Sequence, residues 1–190
     1  MKRVVLMGDS IRMGYQDGVA RELAGEAEVW GPEENCADTR NIVAHVQEWI
    51  TEQPADVIHI NSGLHDVKRV SDPEKTEVPL DEYESNVERI LTAALEKGGA
   101  RPIWALTTPV NEQWHHENKT FDRFQEEIRA VNRAARRVCD RLDVPVNDLY
   151  ATIEQAGRDD LLVEDGVHFT EEGYEVLARA VAAEVRRFLD

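Results

Sequence analysis

Short apolar runs and longer amphipathic stretches alternate along the chain. "VVLM" (4–7) is wholly apolar and rich in β-branched residues, which predicts a strand covered on both faces. "EVW" (28–30), "DVIHI" (56–60), "PIWALT" (102–107) and "VPVNDLY" (144–150) predict four more, with Pro145 weakening the start of the last. Helical spacing fills the intervals. The stretch 18–25 ends on Gly25, as helices often do. The stretch 38–50 opens with the cap-type residues Asp38 and Thr39 and repeats Ile42, Val43, Val46, Trp49 and Ile50 along one face. Asp81 is the cap expected for a helix over 80–99, which closes on Gly98 and Gly99. Further helices are expected over 121–142 and over 170–189, the latter with Thr170 and Glu172 near its cap and basic residues at its end. Two stretches, 69–79 and 110–120, read as loops of more than the usual length.

Strand followed by helix, repeated five times, predicts the α/β class: a five-stranded parallel sheet with helices on both faces. The 190 residues, without repeat, low-complexity tract or linker, suit one domain spanning 1–190. With 42% hydrophobic and 32% charged residues the chain reads as globular rather than disordered. No apolar run approaches the roughly 20 residues of a membrane span, and the first apolar run is too short for a signal peptide. A cytoplasmic protein is expected, with Cys36 and Cys139 reduced. The formal net charge of −16 opposes general nucleic-acid binding. Zinc signatures of the CxxC and HExxH kinds are absent.

Open parallel sheets build their sites at the carboxyl ends of the strands. The segments leaving the five predicted strands are Gly8-Asp9-Ser10, "NCADTRN" (35–41), "NSGLHD" (61–66), "TPVNEQWHH" (108–116) and "EDGVHFT" (164–170). Three residues stand out among them. A serine becomes a nucleophile when a neighbouring base takes its proton, and histidine is the usual base when a carboxylate fixes its tautomer. Ser10 is the candidate nucleophile, His168 the base and Asp165, three residues away, its orienting partner. Gly8 permits a sharp turn, after which Ser10 sits at a helix start where backbone amides favour negative charge.

The chain resembles the GDSL, or SGNH, hydrolase family. "GDSIRMG" (8–14), "CADT" (36–39), "GLHD" (63–66) and "DGVH" (165–168) look like its four blocks, in the family's order and across nearly the whole chain. The resemblance implies a three-layer α/β/α, flavodoxin-like sandwich and hydrolysis of esters or thioesters through an acyl-serine, without a cofactor. It further implies an oxyanion hole made by the Ser10 N–H, the Ala37 N–H and His65. Two positions depart from the pattern. Ala37 stands where the family usually has glycine, and His65 where it usually has asparagine.

Other residues have plainer roles to weigh. Asp9, Asp38, Thr39 and Asp66 read as caps or braces, and His45 and His59 as packing residues. Trp114, His115 and His116 lie in a loop expected to overhang the site, where an aromatic ring could cover a sugar or acyl chain. Arg12, Arg40, Lys68 and Arg69 each closely follow a strand's carboxyl end. They could rim one pocket and attract an anionic or polar substrate, or they could simply pair with surface carboxylates. From the esterase reading, the expected partner is a small-molecule substrate, a short acyl or acetyl ester on a sugar or another polar or anionic carrier. Two alternatives remain open. One is a catalytically weak relative that binds a ligand, motivated by His65. The other is a metallophosphoesterase, for which the early Asp-x-His and later Gly-His-x-His ligands are missing. Oligomeric state has no signature in the sequence.

Overall fold

The computed structural model describes residues 1–70, 72 and 74–189. Five strands form one parallel sheet: β1 (Lys2–Met7), β2 (Ala27–Trp30), β3 (Val57–Asn61), β4 (Arg101–Ala105) and β5 (Val146–Asn147). Their spatial order is β2-β1-β3-β4-β5, with Val4 opposite Val57, Ile58 opposite Pro102 and Trp104 opposite Val146. Val4, Val5, Leu6 and Met7 are all fully buried, as an apolar run between two helical layers requires. The helices are α1 (Ser10–Glu22), α2 (Thr39–Ala44), α3 (Leu80–Glu96), α4 (Glu112–Asn118), α5 (Gln125–Leu142), α6 (Leu149–Ala156), α7 (Arg158–Leu161) and α8 (Glu171–Arg186). Helices α1 and α6 pack on α8 in one layer, and α2 and α5 pack on α3 in the other. The three-layer α/β/α sandwich expected from the sequence is the one found. The chain reverses direction across the sheet between β1 and β3, and the crevice at that switch point is where such folds place their sites.

The differences from expectation lie in the connections. Helix α1 begins at Ser10 rather than near residue 18, because Asp9 caps it: Asp9 Oδ1 accepts from Ile11 N–H at 2.9 Å. Asp38 caps α2 through Asn41 N–H, but the helix closes at Ala44 and continues as a separate π-helical turn, Gln47–Thr51. Pro79, not Asp81, precedes α3, and Asp81 lies in its first turn. The last strand is only Val146–Asn147, because Asp148 caps α6 through Ala151 N–H at 2.9 Å and turns the chain into helix. The stretch 110–120, expected as a loop, contains α4, capped by Asn111. The loop 69–79 includes positions 71 and 73, which lie outside the described residues. No helix of the described residues is long and apolar enough to cross a membrane.

Candidate active site

Ser10 is the first residue of α1. Position 8 must be glycine for a packing reason: a Cβ there would lie 2.7 Å from Arg12 Cβ and 3.2 Å from the Asn61 carbonyl oxygen. The strand therefore passes tightly under its neighbour and delivers Ser10 to the sheet's carboxyl edge. The Ser10 N–H belongs to the first helical turn, whose amides have no intrahelical acceptor.

His168 and Asp165 come from the loop before α8. Ser10 Oγ lies 2.8 Å from His168 Nε2, and His168 Nδ1 lies 2.6 Å from Asp165 Oδ2. Asp165 Oδ1 accepts from the backbone N–H groups of Val167 and His168, both at 2.9 Å. Burial alone would raise the Asp165 carboxyl. Hydrogen bonds from His168, Val167 and Lys119 outweigh it and hold the group well below the usual carboxylate range. An ionised Asp165 accepting at Nδ1 leaves Nε2 as an acceptor for the serine hydroxyl. Gly166, at φ 72°, makes the tight turn possible, and a Cβ there would meet the Asn111 carbonyl oxygen at 2.5 Å.

Helix α4 braces this loop. Asn111 N–H donates to the Gly166 carbonyl at 2.8 Å, and Asn118 Nδ2 donates to the Glu164 carbonyl at 2.9 Å. Fully buried His115 donates through Nδ1–H to the Asp165 carbonyl at 3.3 Å and accepts at Nε2 from Arg123 Nη1 at 3.4 Å. Lys119 Nζ sits 3.0 Å from Asp165 Oδ2.

A pocket of about 290 Å³ opens over Ser10 and His168. His65 lines it, and burial together with the nearby Lys68, Arg123 and His168 pushes its imidazole down to about 3, so the ring is neutral. Asn35 also lines it, and its Oδ1 accepts the Ala37 N–H at 2.8 Å. The expected Ala37 donor is thus already engaged. Ala37 has φ 54°, the left-handed region that favours glycine, which accounts for the residue type the family usually places there. Beneath the pocket Asp66 is a brace, accepting from the Thr39 N–H and hydroxyl (3.0 and 2.5 Å) and from the Ser62 hydroxyl (3.0 Å). It ties the segment bearing Ala37 to the segment bearing His65. Burial raises its carboxyl to about 6 despite those bonds.

The expected rim of basic residues is corrected. Arg12 is 1% exposed and structural, donating to Gln16 Oε1 at 2.8 Å and to the Glu34 carbonyl at 2.9 Å. Arg40 is exposed and paired with Glu82. Arg69 pairs with Glu127 and lies over the Phe124 ring, lining a separate cleft with Glu112. Trp114 is half-buried on α4 and faces another cleft, with Leu162 and Glu164. Of the cations singled out from sequence only Lys68 lines the pocket, where Lys119 and Arg123 join it. Those two were not anticipated: they lie in "KTFDR" (119–123), beyond α4, in a segment that no expected element or motif had placed at the site. Among the described residues no group of three or more His, Cys, Asp or Glu side chains is arranged to hold a metal ion.

Comparison with known proteins finds the same fold. The chain is similar to the lipase/acylhydrolase of Enterococcus faecalis, with 24% identity, TM-score 0.82 and coverage of 98% of this chain and 96% of that one. It is similar to an acetyl xylan esterase at 17% identity and TM-score 0.77, covering 96% of this chain and 99% of that one. It is also similar to an acetyl xylan esterase of Geobacillus stearothermophilus at 18% identity and TM-score 0.76, covering 97% and 94%. At these identities the likeness is one of fold. No curated protein matches the chain. The GDSL-like lipase/acylhydrolase profile matches residues 6–176, from the strand that delivers Ser10 to the helix that follows His168, and the chain belongs to that family.

Proposed function

We propose that the protein is a serine esterase that hydrolyses short acyl esters, acetyl esters of sugars and other polar carriers among them, through an acyl-serine. The observation that carries the reading is the continuous hydrogen-bonded line from Ser10 Oγ through His168 to Asp165, at 2.8 and 2.6 Å. Ser10 Oγ attacks the carbonyl carbon while its proton passes to His168 Nε2. The carbonyl π electrons move to oxygen, and the resulting oxyanion is met by the Ser10 N–H, the neutral His65 ring and the Ala37 N–H once Asn35 releases it. The intermediate collapses, the C–O bond to the alcohol breaks, and His168 returns the proton to the leaving oxygen. Water then attacks the acyl carbon and gives a proton to His168; the bond to Ser10 Oγ breaks, His168 returns the proton to Oγ, and the acid departs. Asp165, held ionised, stabilises the imidazolium at each stage. Two acetyl xylan esterases among the structural neighbours support trying sugar acetates first.

The test is hydrolysis of p-nitrophenyl acetate and butyrate by the wild type and by Ser10→Ala, each with and without EDTA. A loss of at least about 10³-fold in kcat for Ser10→Ala, indifferent to EDTA, is expected. Activity that survives the substitution refutes the assignment of the nucleophile.

A further inference from the structure

The pocket over Ser10 is basic in a chain whose formal net charge is −16. Lys68, Lys119 and Arg123 line it, and no carboxylate side chain does. Lys119 is spoken for by Asp165. The other two are in direct ion-pair contact with no carboxylate of the described residues: Asp9 and Asp165 act on Arg123, and Asp38, Glu77 and Asp9 on Lys68, only from a distance. The Lys68 ammonium makes no hydrogen bond or ion pair with the described residues; its Nζ lies 5.7 Å from the centre of the Phe121 ring. Arg123 is 5% exposed, and its Cζ lies 4.9 Å from the same ring. Its Nε is used by the Leu64 carbonyl at 2.6 Å and its Nη1 by His115, whereas Nη2 has no partner among the described residues. Phe121 is itself held edge-on by His115 at 5.3 Å. One ring therefore positions two cations in the pocket over Ser10, and neither is ion-paired to a carboxylate of the described residues.

Several arginines elsewhere are ion-paired, Arg40 with Glu82, Arg69 with Glu127, Arg137 and Arg141 with Glu84, and buried Arg12 instead gives its donors to Gln16 and to the Gly8 and Glu34 carbonyls. A half-buried lysine and a buried arginine with no carboxylate in contact gain from an anion brought into the pocket beside them. Burial indeed draws the Lys68 ammonium downward and the Arg123 guanidinium to about 10.

Resting on the esterase reading, we infer that Lys68 and Arg123, set on Phe121, form an anion subsite, and that the substrate is an ester carrying a carboxylate or phosphate close to its scissile carbonyl. The charge can reside on the acyl group or on the alcohol. Both arrangements present the same anion to the same two cations, and paired substrates separate them.

For the acyl side the pair is p-nitrophenyl hydrogen glutarate and p-nitrophenyl valerate; for the alcohol side, O-acetylglycolate and 2-methoxyethyl acetate. In at least one pair the anionic member is expected to have the higher kcat/KM by roughly tenfold, the worth of one charge-assisted hydrogen bond. Lys68→Gln and, separately, Arg123→Lys, which keeps the charge but loses the planar fork, each lower that ratio severalfold. Added salt lowers it as well. Arg40→Gln, an exposed cation paired with Glu82, leaves the ratio where it was. Neutral members preferred in both pairs, or a ratio indifferent to Lys68→Gln, would overturn the inference while Ser10-dependent hydrolysis stood. Calorimetric titration of Ser10→Ala with monoethyl glutarate and with ethyl valerate examines the subsite without turnover. The alcohol side is titrated likewise with O-acetylglycolate and 2-methoxyethyl acetate. Tighter binding of the anion in at least one pair, weakened by adding Lys68→Gln, supports the subsite even if the nucleophile were misassigned; equal binding in both pairs overturns it.

Discussion

His65 offers the sharpest test of how this site differs from the usual pattern. It stands where an asparagine amide would complete the oxyanion hole, and it lines the pocket beside Ser10 and His168. Burial, with Lys68, Arg123 and His168 around it, sets its imidazole at about 3. At pH 7 that leaves about one molecule in 10⁴ with a cationic ring, so any hydrogen bond to the oxyanion comes from a neutral imidazole. A neutral donor in a water-poor pocket is worth about 2.7–4 kcal/mol of transition-state stabilisation, or 10²–10³ in kcat. His65→Ala should lose that factor, with KM changed far less, because the oxyanion exists only in the transition state. His65→Asn restores a neutral N–H donor and should recover activity to within about tenfold of wild type. The assay is kcat for p-nitrophenyl acetate from pH 5 to 9, with circular dichroism and Tm recorded for each variant. Since the ring does not titrate in this range, wild type and His65→Asn should share the same acid limb. A His65→Ala enzyme within threefold of wild type would remove His65 from the hole. Acid limbs that differ would refute the neutral-ring argument even if the loss of rate were found.

Two further predictions concern stability and the second donor. His59 is fully buried in β3, its Nε2 accepts from Asn147 Nδ2 at 3.1 Å, and burial pushes it from 6.5 down to about 3. The unfolded chain takes up this proton and the folded one does not, so the contribution is present above pH 6.5 and is lost as pH falls toward 3. At 1.36 kcal/mol per pH unit the loss by pH 4 is about 3 kcal/mol. His59→Gln keeps an acceptor for Asn147, and its urea-unfolding free energy relative to wild type should improve by about that amount between pH 7 and pH 4; a difference independent of pH would contradict the assignment. Asn35→Ala removes the group that holds the Ala37 N–H, and kcat should rise roughly two- to tenfold because a hydrogen bond of about 0.5–1.5 kcal/mol no longer has to be exchanged. A fall of tenfold or more would instead place the Asn35 amide in the hole.

What the sequence discloses, and what it withholds, follows from the range of each interaction. The buried runs at Val4–Met7 and Val57–Asn61 are legible because a strand covered on both faces has no room for polar residues. Asp165 and His168 are legible as a pair because their contact spans three residues of one loop, and Ser10 because a helix start is a local event. Asp9 reads as a cap for the same reason. The connections are less legible because caps compete. Asp148 ends β5 after two residues, and Asn111 starts a helix in a segment whose composition suggests a loop. What orders α4 is not in its own sequence. It is the Glu164 and Gly166 carbonyls, some fifty residues on, that need donors.

Charge is where proximity along the chain misleads most. Arg12 and Arg69 follow strand ends as closely as Lys68 does, yet the direction of a side chain depends on the helical register it enters. Arg12 is two residues into α1 and points back under the sheet edge, with its guanidinium against the carbonyls of Gly8 and Glu34. Arg69 is turned away by the backbone bridge between Arg69 N–H and the Asp122 carbonyl, which puts it against Glu127. That same bridge draws the 119–123 segment across the pocket and so brings Lys119, Phe121 and Arg123 to Ser10. The residue dismissed from the site is thus what anchors the cations that occupy it. The pocket's charge arises from the pairing of two loops, one after β3 and one after β4, and no pattern within either loop specifies it.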